Sequence, residues 1–172
     1  MMMELAILDY IQEFMRCSVL DMLMPAVTAL GNYGILWIAL SALLLCFPKT
    51  RRIGIVMSVS LIIEIVLCNV ILKPAAARVR PFDVNTGIQL LIRAPKDFSF
   101  PSGHTGASFA AAAALFFAGS RAWIPAGALA VLIGFSRLYL YVHYPTDVLG
   151  GALLGIAAGW LACRLTGWKA KG

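Results

Sequence analysis

The sequence predicts an all-α fold: a polytopic transmembrane helical bundle of five spans plus an N-terminal amphipathic helix, alternatively six spans. Three observations predict it. Of the 172 residues, 61% are hydrophobic and only 13% are charged, whereas about 25% charged is usual in soluble domains. Mean hydropathy is +0.87. Apolar runs near the ~20 residues that cross a hydrocarbon core recur at residues 31–48, 53–72, 105–119, 122–140 and 148–163. The length allows a single membrane domain.

Each element has its own signal. Over residues 5–30, Ile7, Leu8, Ile11, Phe14 and Met15 recur at helical spacing, with Asp9, Glu13 and Arg16 on the other side. Asp21, Pro25 and Gly31 interrupt the apolar stretch beyond Arg16. Residues 1–30 therefore read as an N-terminal amphipathic interfacial segment of one or two helices; a sixth, weakly hydrophobic span is the alternative. The same charges argue against a cleaved signal peptide. Lys73 ends the second apolar run, His104 opens the third, Arg137 ends the fourth and Asp147 opens the fifth. Alternating span direction puts all four on one membrane face, so residues far apart in sequence can converge. Gly151, Gly155 and Gly159, and the stretch 106–114, suit close helix packing. Cys17, Cys46, Cys68 and Cys163 are scattered without a C-x-x-C pair and read as small apolar residues.

On the opposite face, the loops 48–52 and 119–121 and the tail 164–172 carry Lys49, Arg51, Arg52, Arg121, Arg164, Lys169 and Lys171, and no acid. The positive-inside rule makes this the cytoplasmic side and residues 164–172 a short basic cytoplasmic tail. The motif face then looks to the periplasm or exterior of a bacterial inner membrane. The net charge of +6 sits at span ends and in the motif segments. It points to lipid phosphate as the partner, not to nucleic acid; oligomeric state is not encoded.

Three polar clusters interrupt the apolar sequence. Charges so close to a bilayer are unfavourable unless paired or solvated, and so mark a candidate site. In the first, Lys73 and Arg80 supply a point charge and a planar fork that suit phosphate oxygens; snorkelling is the plain alternative. In the second, Pro101-Ser102-Gly103-His104 precedes an Ala-rich helix that Ser102 or Thr105 can cap. Gly103 admits a close ligand and the helix dipole favours an anion; the alternative is an ordinary capped helix start. In the third, Ser136-Arg137 precedes His143, and Asp147 stands four residues later. Asp147 in the first helical turn can reach the His143 ring, fix its tautomer and leave the other nitrogen nucleophilic, or merely tie down the helix entry.

Arg78 belongs either to the site or among the lipid headgroups, with the headgroups preferred, and Tyr139, Tyr141 and Tyr144 are expected to form an interfacial belt. Glu64, inside the second span, reads first as structural. The loop 74–100 is a candidate cover for the site.

Lys73-x6-Arg80-Pro81, Pro101-Ser102-Gly103-His104 and Ser136-Arg137-x5-His143-x3-Asp147 together resemble the three signature motifs of the type 2 phosphatidic acid phosphatase family. The likeness runs from about residue 31 to 163, which it makes a transmembrane phosphatase domain. It implies that His143 attacks phosphorus to give a phosphohistidine and that Asp147 orients it. Lys73, Arg80, Ser102, Gly103 and Arg137 then hold the phosphate, while His104 protonates the leaving oxygen and later activates water. No cofactor is implied. No acidic cluster stands ready for Mg²⁺, so a metal-independent reaction is expected. The implied substrate is a lipid phosphate monoester or diphosphate. Undecaprenyl diphosphate is slightly favoured over phosphatidylglycerophosphate, phosphatidic acid and diacylglycerol diphosphate. A lipid-phosphate transporter or binding protein is the alternative class, but it needs no paired histidines. Vanadate-dependent oxidation is another, but the relatives that perform it are soluble.

Overall fold

The structure, a computed structural model, describes residues 2–167, so Lys169 and Lys171 of the expected basic tail lie outside the described residues. About 75% of it is helical, and no strand occurs among the described residues.

Helix α1 (Met2–Tyr10) passes into a π-helical turn, Ile11–Met15, and stops where Arg16 and Cys17 turn extended. Helix α2 (Ser18–Leu30) and α3 (Ile35–Cys46) are separated by a bend of 40°. The bend is made by Tyr33 (φ 54°) and Gly34 (φ 66°), two successive left-handed residues. Glycine takes that conformation without strain, whereas it is uncommon for a residue with a Cβ such as Tyr33. Helix α4 (Arg51–Ile65) continues through a π-helical segment, Val66–Leu72, into the single turn α5 (Lys73–Ala76). Ala77 (φ 43°) ends it. The short α6 (Pro81–Val84) begins with Pro at its first position, where a missing N–H costs nothing. An irregular loop leads to α7 (Gly103–Phe117), followed by α8 (Trp123–Tyr139) and α9 (Pro145–Leu165).

By length and composition the stretch Arg51–Val84 and α9 can each cross a bilayer, and the bent pair α2–α3 passes the same test taken together. α7 lies at the centre of the bundle. Its Ala- and Gly-rich surface is buried nearly all round, from Thr105 to Leu115. The reason is steric: only small residues let α9 approach so closely. A Cβ at Gly151 would fall 2.5 Å from the Ser102 carbonyl oxygen, and one at Gly159 would fall 2.6 Å from the Ala113 Cβ. Polar latches tie the neighbouring helices to α7 as well. The Trp37 indole N–H donates to Ser108 Oγ at 3.0 Å, and the Ser60 hydroxyl donates to the Ala110 carbonyl at 3.0 Å. In an apolar setting each satisfies a group that would otherwise be costly to bury.

One expectation is corrected. Tyr139, Tyr141 and Tyr144 do not form an interfacial belt, because all three are buried. The Tyr139 hydroxyl donates to Asp21 at 2.7 Å and the Tyr141 hydroxyl to Asp9 at 2.6 Å, so the first two clamp the N-terminal helices onto the motif end of the bundle. Residues 1–30, expected as interfacial helices or else a sixth span, also contribute to the site. α2 descends along α8, and its Thr28 hydroxyl accepts from Arg137 Nη1 at 2.6 Å. Helical periodicity marks the apolar face of this segment but not the identity of the element that covers it.

Candidate active site

A cavity of about 1010 Å³ opens at the motif end. Lys73, Arg80, Gly103, His104, Arg137 and His143 all line it, so the three clusters converge. Ser102 and Asp147 stand immediately behind the wall, both fully buried. Ser102 occupies the N-cap position of α7, yet its side chain makes no capping bond; instead its Oγ accepts from the Thr105 hydroxyl at 3.0 Å. The Ser102 backbone N–H donates to the Asp147 carbonyl at 3.0 Å, which joins the starts of α7 and α9.

His143 lies in the loop between α8 and α9, with its ring enclosed. Arg80 Nη1 is 3.3 Å from its Nε2. A guanidinium has only N–H donors, so this contact requires a lone pair on Nε2 and places the ring proton on Nδ1. The bare nitrogen is therefore the one beside Arg80 on the cavity wall. Nδ1 faces Asp147 Oδ2 at 3.5 Å, an ion-pair distance too long for a directed hydrogen bond, and has no other partner. Asp147 is itself held firmly. Its Oδ2 accepts from the Tyr144 N–H at 2.9 Å and from the Ser99 hydroxyl at 2.5 Å. The Tyr144 bond is half of a capping box at the start of α9.

The cations are arranged around this nitrogen. Arg80 also donates through Nη1 to the Val142 carbonyl at 2.6 Å and through Nε to the Asp97 carbonyl at 2.8 Å. Arg137 leaves its Nε without a partner, a buried donor on the cavity wall. Across the cavity, His104 Nε2 is 3.0 Å from Asn32 Oδ1, which comes from the bend between α2 and α3. Gly31 in that bend lets the ring in: a Cβ there would lie 2.9 Å from His104 Cδ2.

Several groups escaped the sequence reading. Asp97, in the loop over the cavity, pairs with Lys73 and with Arg80 Nη2 at 2.8 Å. Its half-burial opposes ionisation, but the Lys73 and Arg80 charges outweigh that and hold its carboxyl down at about 2. A lone acid in a loop of mixed composition makes no motif; its only signal is the nearby excess of cations. Thr28, Asn32 and Ser99 likewise act through positions that only the fold brings near. Arg78 is a correction. It does not face headgroups: Nη1 donates to Asp147 Oδ1 at 2.5 Å, and Nη2 to Glu4 at 2.7 Å. Glu64 lines the cavity wall with its Oε1 unpartnered.

Burial pushes the His143 imidazolium down to about 3, with Arg80 and Arg137 adding to the effect and Asp147 opposing it. The folded ring is thus neutral, while an unfolded histidine takes a proton near ~6.5. Between these values the unfolded state binds more protons, so stability rises with pH and is lost on acidification. The melting temperature of the phosphate-free protein in detergent should therefore fall from pH ~6.5 to ~5.5, above the range where carboxylates contribute. His143→Gln should make that slope shallower without abolishing it. An unchanged slope in the variant would mean that the ring is not held neutral.

The comparisons with known proteins give the family. The family model described as the PAP2 superfamily matches residues 53–171. The chain is 40% identical over 139 residues to an undecaprenyl-diphosphatase of Sulfolobus acidocaldarius, covering 79% of this chain and 67% of that protein. Two solved structures superpose on it. One is described as a transmembrane PAP2-type phosphatidylglycerolphosphate phosphatase from Bacillus subtilis, with TM-score 0.77, 30% identity, and coverage of 94% of this chain and 83% of that one. The other is LpxE of Aquifex aeolicus, with TM-score 0.79, 29% identity, and coverage of 93% and 94%. With its motif residues gathered on one cavity and its helices superposable on these phosphatases, the chain belongs to the PAP2 superfamily.

Proposed function

We propose that the protein is an integral-membrane lipid phosphatase acting through a phosphohistidine, with undecaprenyl diphosphate favoured among its substrates. The observation that carries this reading is the bare Nε2 of His143 on a cavity lined by Lys73, Arg80 and Arg137, with His104 opposite. The two relatives named for lipid diphosphate and lipid phosphate hydrolysis support the substrate class. The cavity wall also includes Ile38, Leu61 and Ile65, and Ile38 and Ile65 are partly exposed on the outer surface of the helices. An apolar side next to a cationic end suits a lipid whose phosphate enters while its chain stays in the bilayer.

The chemistry follows from the placement. Nε2 of His143 attacks the terminal phosphorus, and in line with it the P–O bond breaks to the leaving group, the lipid monophosphate of a diphosphate or the lipid alkoxide of a monoester. Lys73, Arg80, Arg137 and the α7 N-terminus at Ser102-Gly103 spread the charge of the equatorial oxygens. His104 gives a proton to the leaving oxygen and later takes one from the water that cleaves the phosphohistidine. Asp97 holds Lys73 and Arg80 only while the phosphate site is free, so its carboxylate yields them to the substrate.

The test is phosphate release by purified protein in detergent against undecaprenyl diphosphate, phosphatidylglycerophosphate, phosphatidic acid and diacylglycerol diphosphate, with EDTA present. The expected result is turnover insensitive to EDTA, inhibited by vanadate and fastest on the polyprenyl diphosphate. A full loss with EDTA that Mg²⁺ restores would overturn the mechanism.

The spans are read as five: the bent pair α2–α3, then α4–α5, α7, α8 and α9, with α1 lying across the motif end. The basic loops 48–52 and 119–121 then face the cytoplasm, and the cavity faces outward. In a cysteine-free background, a cysteine at Thr86 should react with an impermeant thiol reagent in intact cells, and one at Lys49 should not. The reverse labelling would place the site in the cytoplasm and remove the preference for an outer-leaflet substrate.

A further inference from the structure

Arg78 is a largely buried cation that takes no part in holding phosphate. Its Nη1 donates to Asp147 Oδ1 at 2.5 Å and to Thr146 Oγ1 at 2.7 Å, and its Nη2 donates to Glu4 Oε2 at 2.7 Å. Its guanidinium also lies 4.0 Å over the Tyr144 ring. Glu4 binds the same corner of the fold through its other oxygen, which accepts from the Thr146 hydroxyl at 2.5 Å and the Thr146 N–H at 3.3 Å.

These contacts form a continuous chain: Glu4 on α1, Arg78 in the segment after α5, Asp147 in the first turn of α9, and His143 in the loop before it. The chain enters from the N-terminal helix and ends on Nδ1 of the nucleophile. The Asp147 side chain is 0% exposed while that of Arg78 is 25% exposed, so the carboxylate is wholly dependent on internal partners. Neutral donors, the Ser99 hydroxyl and the Tyr144 N–H, satisfy Oδ2; among the described residues the only full positive charge on Oδ1 is Arg78. A buried carboxylate without a compensating charge is strongly unfavourable. Arg78 and Arg80 thus bracket the imidazole–carboxylate pair. Arg80 meets Nε2 on the cavity side, and Arg78 meets the carboxylate on the far side. The loose 3.5 Å between Nδ1 and Asp147 makes the ring orientation sensitive to where that carboxylate sits.

Glu4 is fit to hold the fork. Burial opposes its ionisation, but the Thr146 hydrogen bonds and the Arg78 charge outweigh this and keep its carboxyl below the usual range. A planar guanidinium can meet three acceptors at fixed angles and stack on a ring, and a lysine ammonium cannot.

We propose that Arg78 and Glu4 are positioning residues for the nucleophile: Arg78 fixes the Asp147 carboxylate, Glu4 fixes Arg78, and the N-terminal helix is a working part of the active site. This rests on the reading of His143 as the nucleophile. Because neither residue touches the phosphate cavity, the effect falls on kcat and leaves KM alone.

The test uses full-length protein in detergent with Glu4→Gln, Arg78→Ala, Arg78→Lys and the Glu4→Gln/Arg78→Ala pair. Arg78→Ala should lower kcat roughly tenfold or more, and Glu4→Gln by several fold, with KM within about twofold. The double variant should be no slower than Arg78→Ala alone, because Glu4 acts through Arg78. Arg78→Lys should recover only part of the loss. A purely structural role would lower the melting temperature without this non-additivity. Additive losses, or a raised KM at unchanged kcat, would overturn the proposal. Should Arg78→Ala not fold, Glu4→Gln and Arg78→Lys carry the comparison.

Vanadate affinity, read by calorimetry, is a second measurement that needs no turnover, since a nucleophilic Nε2 of His143 would be a ligand of five-coordinate vanadate. A wild type that binds vanadate through His143 but hydrolyses none of the four lipids would sink the substrate reading alone. The positioning chain would then be judged by a roughly tenfold weaker vanadate affinity in Arg78→Ala. Wild-type vanadate affinity in that variant would sink the chain instead. A wild type that neither hydrolyses nor binds vanadate would overturn both.

Discussion

His143→Ala should abolish turnover, by roughly 10⁴-fold or more, while leaving lipid phosphate binding nearly intact. The split comes from where the groups sit. Phosphate is held by Lys73, Arg80, Arg137 and the start of α7, none of which depends on the imidazole for its place. Arg80 in particular is anchored independently of the ring, through the Val142 and Asp97 carbonyls. Bond making, by contrast, has no substitute. Among the described residues, the only other imidazole is His104, which is tied to Asn32 on the opposite wall. Rapid quench of the wild type with labelled substrate should trap acid-labile, base-stable phosphate, and peptide mapping should place it on His143. Label on His104 would exchange the two roles, and His143→Ala retaining a tenth of the activity would remove His143 as nucleophile. Asp147→Asn should also lower turnover: the Tyr144 N–H and the Ser99 hydroxyl can still seat its oxygen, but its NH₂ then meets the Arg78 donor where Oδ1 now accepts.

The sequence made the cavity side of the site readable and left its supporting side hidden, for a physical reason. Lys73, Arg80, His104, Arg137 and His143 stand at the ends of apolar runs. Hydropathy alone puts those ends on one face, and converging charges next to a bilayer need a use. The supports do not share that property. Thr28 lies in the stretch that Asp21, Pro25 and Gly31 interrupt, and Asn32 just past it, where no period marks a face. Asp97 and Ser99 lie in a loop whose path obeys no period. Arg78 shows the limit most clearly. An arginine near a span end has a ready explanation in headgroup contact, and only the docking of α1 turns it inward to Asp147. The tyrosines failed for a related reason: a ring at a span end fits an interfacial belt as well as a clamp, and Asp9 and Asp21 decide between them. The fold class and the small-residue stripe of α9 were legible because steric demand leaves few residues that fit. The bend at Tyr33 and Gly34 was not, since tyrosine carries no signal for a left-handed backbone.

That steric demand sets the second large effect. Gly155→Ala adds one methyl group and should lower the melting temperature on the order of 10 °C, from an overpacking cost of roughly 3 kcal/mol. The new Cβ would collide with the Gly106 carbonyl oxygen, with the Ala110 nitrogen at 2.7 Å and with the Phe109 Cβ at 2.9 Å. Two of the three are backbone atoms in the middle of a helix, so no rotamer change relieves the clash and α7 must move away from α9. The movement does not stay local. α7 begins at Gly103 and carries His104 one residue later, and Ser102 is bonded to the Asp147 carbonyl at the start of α9. Separating the helices therefore pulls the acid and the nucleophile's carboxylate apart, and activity per folded molecule should fall together with stability. Gly127→Ala is the control. Its added Cβ meets only Trp123 Cε3 at 3.8 Å, ordinary contact. Exchanging a helical glycine for alanine there should be neutral, or stabilising by up to about 1 kcal/mol. Thermal melts and phosphate release on the two variants separate the cases, and a Gly155→Ala protein as stable and active as Gly127→Ala would show that α9 does not rest on the α7 backbone.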